Sequence, residues 1–485
     1  MPKSNARPAD TDQAGAAKEA GSLGDGTPWG PAYRLMTIGL LITIVGSAFE
    51  ALAVATILPK TADELGGLSL YGWVFSAYVL ANMVGIVVAS GEADRLGPTR
   101  PFVAGVVLFV AGLLIGGLAP TMLVLILGRV VQGLGGGCVS SVVYVAVGRG
   151  YPPAAKPRML ALLSSAWVVP GLIGPAFAGL IADHIGWRWV FLGLIPFPII
   201  AVFMTLPALR HVPGGDVSSR DMSRVWWSVL LAGGTALLLA GFDQDRLLLA
   251  VPLIAVGVAS VWKPLGRLLP AGTVRAAAGL PAAVAVMALV NGGFFGVDAY
   301  IPLGLTDVRD RSVSFAGLAL TAATITWSAG AWIQARYVRR VSARSMVRVG
   351  LGLIVVGGVG AAAMLLDGVP VITGVFAWGF AGLGMGFAYS RLSLAVLEAA
   401  PKGQEGAATA AMQLGIVLLM AVTAGMGGVL VDAFGDDAGA IRTGLLVQDA
   451  LMLAVLVGAI LIAVRLPGVP SLLERKDEDG GGTAA

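Results

Sequence analysis

Long apolar runs follow one another along almost the whole chain from Leu35 onward. A helix needs about 20 predominantly apolar residues to cross the hydrocarbon core of a bilayer. Fourteen runs approach that length, and short polar connections separate them. They cover residues 35–59, 70–90, 101–119, 121–147, 157–182, 187–207, 226–242, 247–263, 278–303, 315–335, 346–366, 370–398, 406–432 and 440–465. The pattern predicts an all-α polytopic membrane protein with about fourteen transmembrane helices.

The basic residues of the connections test this count, because Lys and Arg accumulate on the cytoplasmic side of a membrane. With fourteen spans and both ends inside, the outer connections hold six of the 32 Lys and Arg residues. These six are Lys60, Arg188, Arg246, Arg309, Arg311 and Arg442. The asymmetry predicts that both termini are cytoplasmic. Removing the short seventh and eighth runs would leave this parity unchanged, so twelve spans remain an alternative.

An internal repeat divides the chain into two halves. At a constant offset of 249 residues, Gly133 falls on Gly382, and at a looser offset of 245, Gly85 falls on Gly330. Two six-helix bundles of parallel topology, related by an axis along the membrane normal, would explain such a repeat.

The repeat and the apolar runs together predict five regions. They are a disordered cytoplasmic tail at 1–33, a six-helix bundle at 34–210, a linker with two inserted transmembrane helices at 211–275, a second six-helix bundle at 276–466, and a disordered cytoplasmic tail at 467–485. The tails are rich in polar and small residues and lack apolar periodicity.

Composition excludes several classes of function. The chain is 57% hydrophobic and 12% charged, which is too apolar for a soluble domain. Its pI near 9.3 reflects basic membrane loops and requires no nucleic acid. The single Cys138 cannot form an intramolecular disulfide and lacks the neighbours of a zinc site. No phosphate-binding loop occurs. We therefore expect no metal and no cofactor, and we expect that the protein is not an enzyme.

The fourth run contains Arg129, Gln132 and Gly133 within otherwise apolar sequence. A charge at the centre of a spanning helix costs about 2.5–3.5 kcal/mol on insertion scales, so we expect Arg129 to face a protein interior or a water-filled cavity. The alternative is an arginine whose side chain reaches a membrane interface.

The fifth run contains Pro170, Gly171, Gly174, Pro175 and Gly179. Small residues at this spacing let helices approach closely, which predicts a packing surface. Two prolines within six residues remove backbone donors and bend a helix, so a hinge is expected at the same place.

Glu50 lies in the first run, about 13 Å before its end. A carboxyl group in a medium of low dielectric holds its proton tightly, and a nearby cation has the opposite effect. We therefore expect Glu50 and Arg129 to bind and release a proton as they approach and separate. A purely structural ion pair and a solvated cavity wall are the alternatives. Asp298 in the ninth run is a second proton-coupling candidate, and Asp449 in the fourteenth is a further one.

Five aromatic residues in or near the runs are candidates for contact with an apolar substrate. They are Trp73, Trp167, Phe294, Phe295 and Trp327. The alternative is that these rings pack within the protein or lie at the membrane interface, as most aromatics of membrane spans do.

The polar motifs resemble those of the major facilitator superfamily. The group of Arg129, Gln132 and Gly133 is similar to its fourth-helix motif, and the stretch from Pro170 to Gly179 is similar to the fifth-helix motif of its drug:proton antiporters. A third motif resembles the superfamily's loop between helices two and three. Its matching residues are Asp94, Arg95, Gly97 and Arg100, whereas Ser90 replaces the usual first glycine.

This resemblance implies a major facilitator fold with two additional helices, as in the fourteen-helix drug:proton antiporters. It implies a loop at Asp94 and Arg95 that holds the cytoplasmic ends of the two halves together. It also implies a monomeric exporter of amphipathic small molecules, such as drugs or antibiotics, in the cell membrane. Alternating access would be driven by the proton gradient, without a cofactor. A proton-coupled lipid or glycolipid transporter is the alternative, and a non-transporting membrane scaffold is a third possibility.

The fourteen-span topology can be tested with single cysteines at Asp216 and Gln244 in a Cys138→Ala background. An impermeant thiol reagent applied to intact cells should label position 244 and leave position 216 protected, because the two positions are predicted to lie on opposite sides. Protection of both positions, with labelling of another outer loop as the control, would show that the seventh and eighth runs do not cross.

Overall fold

The computed structural model describes residues 27–66, 70–214, 221–242, 244, 246–311, 313–435 and 437–466. Every regular element in these ranges is helical, and fourteen segments are long and apolar enough to cross a membrane. The prediction of an all-α protein with about fourteen spans is confirmed. Of the two predicted tails, the structure describes residues 27–33, which form a turn in which Tyr33 stacks on Tyr151.

Helices suit this sequence because a bilayer offers no hydrogen bonds to an unpaired backbone. The first half contains Arg34–Leu65, Tyr71–Leu96, Thr99–Gly117, Met122–Gly150, Lys156–Ser165 followed by Val168–His184, and Arg188–Gly193 followed by Pro196–Leu209. The inserted pair, which forms the seventh and eighth spans, is Met222–Phe242 and Leu247–Leu268. The second half contains Leu280–Asp298 followed by Ile301–Leu303 and the π-helical turn Gly304–Val308, then Val313–Tyr337, Ala343–Met364, Ile372–Ala399, Glu405–Asp432 and Ala438–Ile462.

Three spans are interrupted, and each interruption lies two to four residues before a proline. The fifth span breaks before Pro170, the sixth before Pro198 and the ninth before Pro302. Because proline has no N–H group, the carbonyl four residues earlier loses its helical partner. In the ninth span that carbonyl belongs to Asp298, so the break follows directly after a half-buried carboxyl group.

One face of the bundle, here called the terminal face, carries the start of the first span and the end of the fourteenth. Arg465 donates hydrogen bonds to the carbonyls of Arg275 and Ala276, at 2.6 and 2.7 Å. The other side is the opposite face. There Lys60 pairs with Asp183 at 3.0 Å.

Close helix packing repeats in the two halves as the sequence repeat indicates. A methyl group on Gly133 would clash with the carbonyl of Tyr78, and one on Gly382 would clash with that of Ala323. The glycines are related by the offset of 249, and their partners by the offset of 245. The second and fourth spans therefore pack against each other as the tenth and twelfth spans do.

The inserted pair lies against both halves. Leu231 and Leu238 of the seventh span share an apolar cluster with Met83 of the second span and Leu414 of the thirteenth. A side chain at Gly425, farther along the thirteenth span, would contact the ring of Phe242. The two additional helices therefore bridge the bundles rather than extending one of them.

The two inserted helices pack closely against each other at glycine residues. A methyl group on Gly257 would lie 2.8 Å from Leu238 Cγ and 3.0 Å from the carbonyl oxygen of Gly234, whereas one on Gly266 of the same helix would meet no atom within 4 Å. Gly257→Leu should therefore lower the free energy of unfolding by about 1–3 kcal/mol, the usual cost of overpacking. Thermal unfolding of the detergent-purified protein measures the loss. The control Gly266→Leu should unfold like the parent, and equal effects of both substitutions would contradict this packing.

Candidate functional site

A buried ion pair joins the first and fourth spans in the first half. The guanidinium of Arg129 donates from Nη1 to Glu50 Oε1 and, at 2.7 Å, to Gln132 Oε1. Its Nε donates to the carbonyl of Val74 at 3.2 Å, and its Cζ lies 4.3 Å from the ring centre of Tyr78. Glu50 is 1% exposed and Arg129 is 3% exposed. The structure thus brings the two predicted residues into direct contact and places them in the protein interior.

The helix registers explain why these two side chains meet. Glu50 lies eight residues before the end of the first membrane-spanning stretch, Arg34–Leu58, and Arg129 lies seven residues after the start of Met122–Gly150. At 1.5 Å per residue, both lie about 10–12 Å below the opposite face. Two opposite charges at one depth in a bilayer are far less costly together than apart.

Two polar atoms beside the pair are left without a hydrogen bond among the described residues. They are Glu50 Oε2, an acceptor, and Gln132 Nε2, a donor. Arg129 thus binds one oxygen of the Glu50 carboxyl group, and the other oxygen is buried without a hydrogen-bond partner among the described residues.

A second carboxyl group, which is half-buried, occupies the related place in the second half. Asp298 accepts a hydrogen bond from Trp378 Nε1 at 2.7 Å. Trp378 is the position onto which the repeat maps Arg129. In the second half, a carboxyl group and a neutral indole therefore stand where the first half has the pair of Glu50 and Arg129. Sequence reasoning selected Asp298 but missed Trp378 as its partner, although the repeat pointed to that position.

Aromatic rings next to Asp298 form a continuous cluster that reaches the first half. Phe294 stacks on Trp378 with ring centres 4.8 Å apart and contacts Trp327 at 5.8 Å. Trp327 in turn contacts Tyr389 at 5.5 Å, and the hydroxyl group of Tyr389 lies 2.9 Å from that of Tyr144 across the interface between the halves.

Only some of the predicted aromatic residues belong to this cluster. Phe295 joins the cluster through ring contacts with Phe294 and Trp327. Trp73 and Trp167 are 42% and 44% exposed and have no ring contact with this cluster among the described residues. Tyr144 and Tyr389 are the members that sequence reasoning missed, because no local pattern marks a contact between two halves.

The loop motif lies at the terminal face and joins the two halves. Asp94 accepts hydrogen bonds from the backbone N–H groups of Gly406 and Ala407, each at 2.9 Å, at the start of the thirteenth span. Arg149 donates to Asp94 at 2.5 Å and to Glu405 at 2.8 Å. A carboxylate at a helix N-terminus is favourable, and here the guanidinium between two acidic groups adds to it. Neither Arg149 nor Glu405 was selected from the sequence.

The other members of the loop motif make local contacts. Arg95 donates to Glu92 at 2.9 Å, and Arg100 is exposed. Gly97 ends the second helix with a φ of 84°, a conformation that favours glycine. These residues shape the loop, whereas Asp94 makes the contact between the halves.

Further hydrogen bonds between the halves lie on the same side of the bundle. Trp332 Nε1 donates to Ser165 Oγ at 2.8 Å, and Ser328 Oγ donates to the carbonyl of Ser164 at 3.3 Å. Together with Asp94, they close the bundle toward the terminal face.

The glycines of the fifth-span motif differ from the expected packing surface. A methyl group on Gly174 would lie 3.7 Å from Leu52 and Phe49, an ordinary contact, and one on Gly179 would meet no atom within 4 Å. Gly174 is therefore buried against the first span, at a distance that would also admit a small side chain. Gly171 approaches only Thr324, also at 3.7 Å.

The two prolines of the same motif differ in whether the helix is interrupted near them. The fifth span is interrupted between Ser165 and Val168, just before Pro170, so a bend occurs where the first proline predicts it. The helix Val168–His184 continues through Pro175 without interruption.

Comparisons with known proteins agree with this architecture. The family model described as Major Facilitator Superfamily matches residues 38–417. Multidrug transporter protein MdtP of Bacillus subtilis is 27% identical over 392 residues, which cover 78% of this chain and 72% of that protein. A probable multidrug-efflux transporter of Mycobacterium tuberculosis is 28% identical over 416 residues, which cover 80% of this chain and 85% of that protein.

Solved structures share the fold at low sequence identity. The human organic anion transporter MFSD10 has a TM-score of 0.67 at 14% identity and is matched over 88% of this chain and 99% of that chain. A bacterial homologue of the iron transporter ferroportin, in an outward-facing state, has a TM-score of 0.64 at 13% identity, over 89% and 98% of the two chains. At such identities the likeness establishes the fold alone.

The contact of Arg149 with two acidic groups predicts how firmly the terminal face closes. Arg149→Gln should slow disulfide formation between cysteines placed at Ser164 and Ser328 at least about tenfold, because loss of one member of a buried ion pair costs about 3–5 kcal/mol. Crosslinking would be followed over time in a Cys138→Ala background. The control Arg442→Gln removes an ion pair with Asp367 at the opposite face and should leave the rate unchanged. An unchanged rate in Arg149→Gln would show that this contact does not close the bundle.

Proposed function

The chain belongs to the major facilitator superfamily, and from this premise we propose that it exports amphipathic small molecules in exchange for protons. The observation that carries the proposal is the buried pair of Glu50 and Arg129, in which Glu50 Oε2 has no partner among the described residues. The printed names of relatives at 27% and 28% identity, a multidrug transporter and a probable multidrug-efflux transporter, support small-molecule export.

The proposal includes an orientation and a driving force. Both termini lie in the cytoplasm, as the distribution of basic residues indicates, so the terminal face is the cytoplasmic side of the cell membrane. The proton gradient supplies the energy without a cofactor, and one chain suffices for the cycle. In the described conformation the halves are closed toward the cytoplasm.

Protonation of Glu50 is the coupling step. When Oε2 takes a proton from the outside, the carboxyl group becomes neutral and no longer balances the charge of Arg129. A buried guanidinium without its counterion is strongly destabilised, so this state favours a rearrangement that brings Arg129 to another partner or to water. The altered conformation opens toward the cytoplasm, where Glu50 loses its proton and a substrate enters.

The aromatic cluster supplies an apolar surface for the substrate in this proposal. Phe295 and Trp327 present ring faces near Asp298, whose carboxyl group is held by Trp378. Ring faces attract apolar groups and cations alike. Because Tyr389 of this cluster touches Tyr144 of the first half, a bound substrate would act directly on the contact that closes the cytoplasmic side.

A lipid or glycolipid transporter and a non-transporting scaffold are the two alternative functions. A lipid or glycolipid could also lie along these rings, so lipids belong in any test of substrates. A non-transporting scaffold does not explain why Glu50 is buried with one oxygen unpaired, since an unpaired polar group in a bilayer lowers the stability of the folded protein.

Reconstitution into vesicles with an imposed pH gradient tests the proposed function against a panel of dyes, antibiotics and lipids. Glu50→Gln keeps the size of the side chain but cannot exchange a proton. Uphill accumulation should fall at least about tenfold, and downhill exchange should survive.

Glu64→Gln is the matched control on the same helix. Its hydrogen bond with Arg188 holds the pKa of Glu64 below the ordinary value, so Glu64 stays ionised near neutral pH and should not take part in coupling. Accumulation by Glu50→Gln at the parent's level would place the coupling site elsewhere. Transport of lipids alone would favour the alternative substrate class.

A further inference from the structure

A small cavity in the second half contains a carboxyl group that the proposed mechanism does not use. The cavity measures about 10 Å³, which is room for roughly one water molecule. Val297, Tyr300 and Ile301 line it from the ninth span, Met364 and Leu365 line it from the eleventh, and Asp449 lines it from the fourteenth. Asp449 lies near the middle of Ala438–Ile462, and its exposed fraction is 5%.

Asp449 makes no hydrogen bond or ion pair with the described residues, which distinguishes it from the other two acidic candidates within the spans. Glu50 has Arg129, and Asp298 has the indole of Trp378. The side chain next to it in the sequence, Gln448, is held by the carbonyls of Gly296 and Thr423 and so is not a partner of Asp449.

No cation faces Asp449 from the helices packed around it, within the described ranges. At the level of the cavity the ionisable groups of the ninth span are Asp298, one residue beyond the cavity, and Tyr300, whose hydroxyl group donates to a backbone carbonyl at 2.6 Å. Asp307, in the π-helical turn of the same span, is exposed and accepts a hydrogen bond from Thr306, and the following Arg309 donates to the carbonyl of Val369 at 2.9 Å. The lining residues of the eleventh span are apolar, and the thirteenth span contributes Thr423 at this level. On its own helix the nearest basic residue is Arg442, two turns toward the opposite face, where it is paired with Asp367 at 2.9 Å.

An ionised carboxylate without a counterion is unfavourable by several kcal/mol in such surroundings, whereas the neutral acid is tolerated. The position of the cavity indicates the side of the membrane from which a proton reaches Asp449. Leu365 follows the end of the eleventh helix, and Asp449 lies eleven residues after the start of the fourteenth, both counted at the opposite face. The carboxyl group therefore lies about three turns from the opposite face, and the cavity beside it extends toward that face, where Leu365 and Leu445 line it.

We propose that Asp449 is a second proton-binding site of the transport cycle, loaded from the opposite face in the described conformation. The carboxylate takes a proton from water on that side and becomes the neutral acid. After the conformational change, it returns the proton to water on the terminal side. This inference rests on the proposed proton-coupled export and adds to it a second proton carried by the other half of the protein, at a site without a resident cation.

Proton binding by the purified protein tests the site without any substrate. Potentiometric titration of the detergent-solubilised parent and of Asp449→Asn should show one proton fewer bound per molecule in the variant. The control is Asp367→Asn. The hydrogen bonds with Arg442 hold the pKa of Asp367 below its ordinary value, so its proton is bound only at lower pH and the count near neutral pH should not change. Equal proton binding by the parent and Asp449→Asn in that range would overturn the proposal.

A second measurement needs no variant and therefore does not depend on how well Asp449→Asn folds. Dicyclohexylcarbodiimide reacts with protonated carboxyl groups in apolar sites, so the parent should be labelled at Asp449, and the label should decrease as the pH is raised. Mass spectrometry of the peptides locates the label. Absence of label at Asp449, or label independent of pH, would contradict a site that exchanges its proton.

Vesicle transport then separates this inference from the proposed function. With a dye that the parent exports, Asp449→Asn should retain export but carry one proton fewer per dye molecule, measured from the pH gradient at which net flux stops. An unchanged ratio would exclude Asp449 from the cycle. If the parent shows no coupling to the pH gradient, proton-coupled export fails, and the titration still decides whether Asp449 binds a proton.

Discussion

The ion pair between Glu50 and Arg129 is the interaction on which the arrangement of the first half depends. A guanidinium in the middle of a bilayer needs a counterion and several acceptors, and no single helix supplies them. Arg129 obtains them from the first span, from the carbonyl of Val74 in the second, and from Gln132 one turn along its own helix. Three spans must therefore converge at one depth. Glycines such as Gly133 make this possible, because the backbone of the second span lies where a side chain would otherwise be.

The second half keeps the packing and changes the chemistry. Gly382 repeats the close contact of Gly133, but Trp378 stands at the position of Arg129. An indole N–H can orient the carboxyl group of Asp298 without balancing its charge, whereas a guanidinium does both. A duplicated framework thus holds two different acid groups. The aromatic rings that surround Trp378 extend to Tyr389 and so to the boundary with the first half.

Closure at the terminal face relies on contacts that can be exchanged for water. Asp94 binds the N-terminal end of a helix together with one guanidinium, and further bonds between the halves involve hydroxyl and indole groups. Such polar contacts at helix ends release more easily than a packed apolar core, since water replaces each lost hydrogen bond. Three spans are interrupted close to a proline, so each of them consists of separate helical parts.

The sequence by itself indicated about fourteen spans, the repeat and the presence of ionisable groups within the spans, because a bilayer penalises every polar group in an apolar run and so makes exceptions visible. Glu50, Arg129 and Asp298 stood out for this reason. Only the tertiary structure decided their partners. Arg149 and Glu405 are 256 residues apart, so no local sequence motif can contain both of them. Nothing in the sequence around Trp378 indicates that its indole donates to Asp298. The glycines of the fifth span show the same division: their spacing indicates that helices can approach, but the relative position of the two halves determines whether they do.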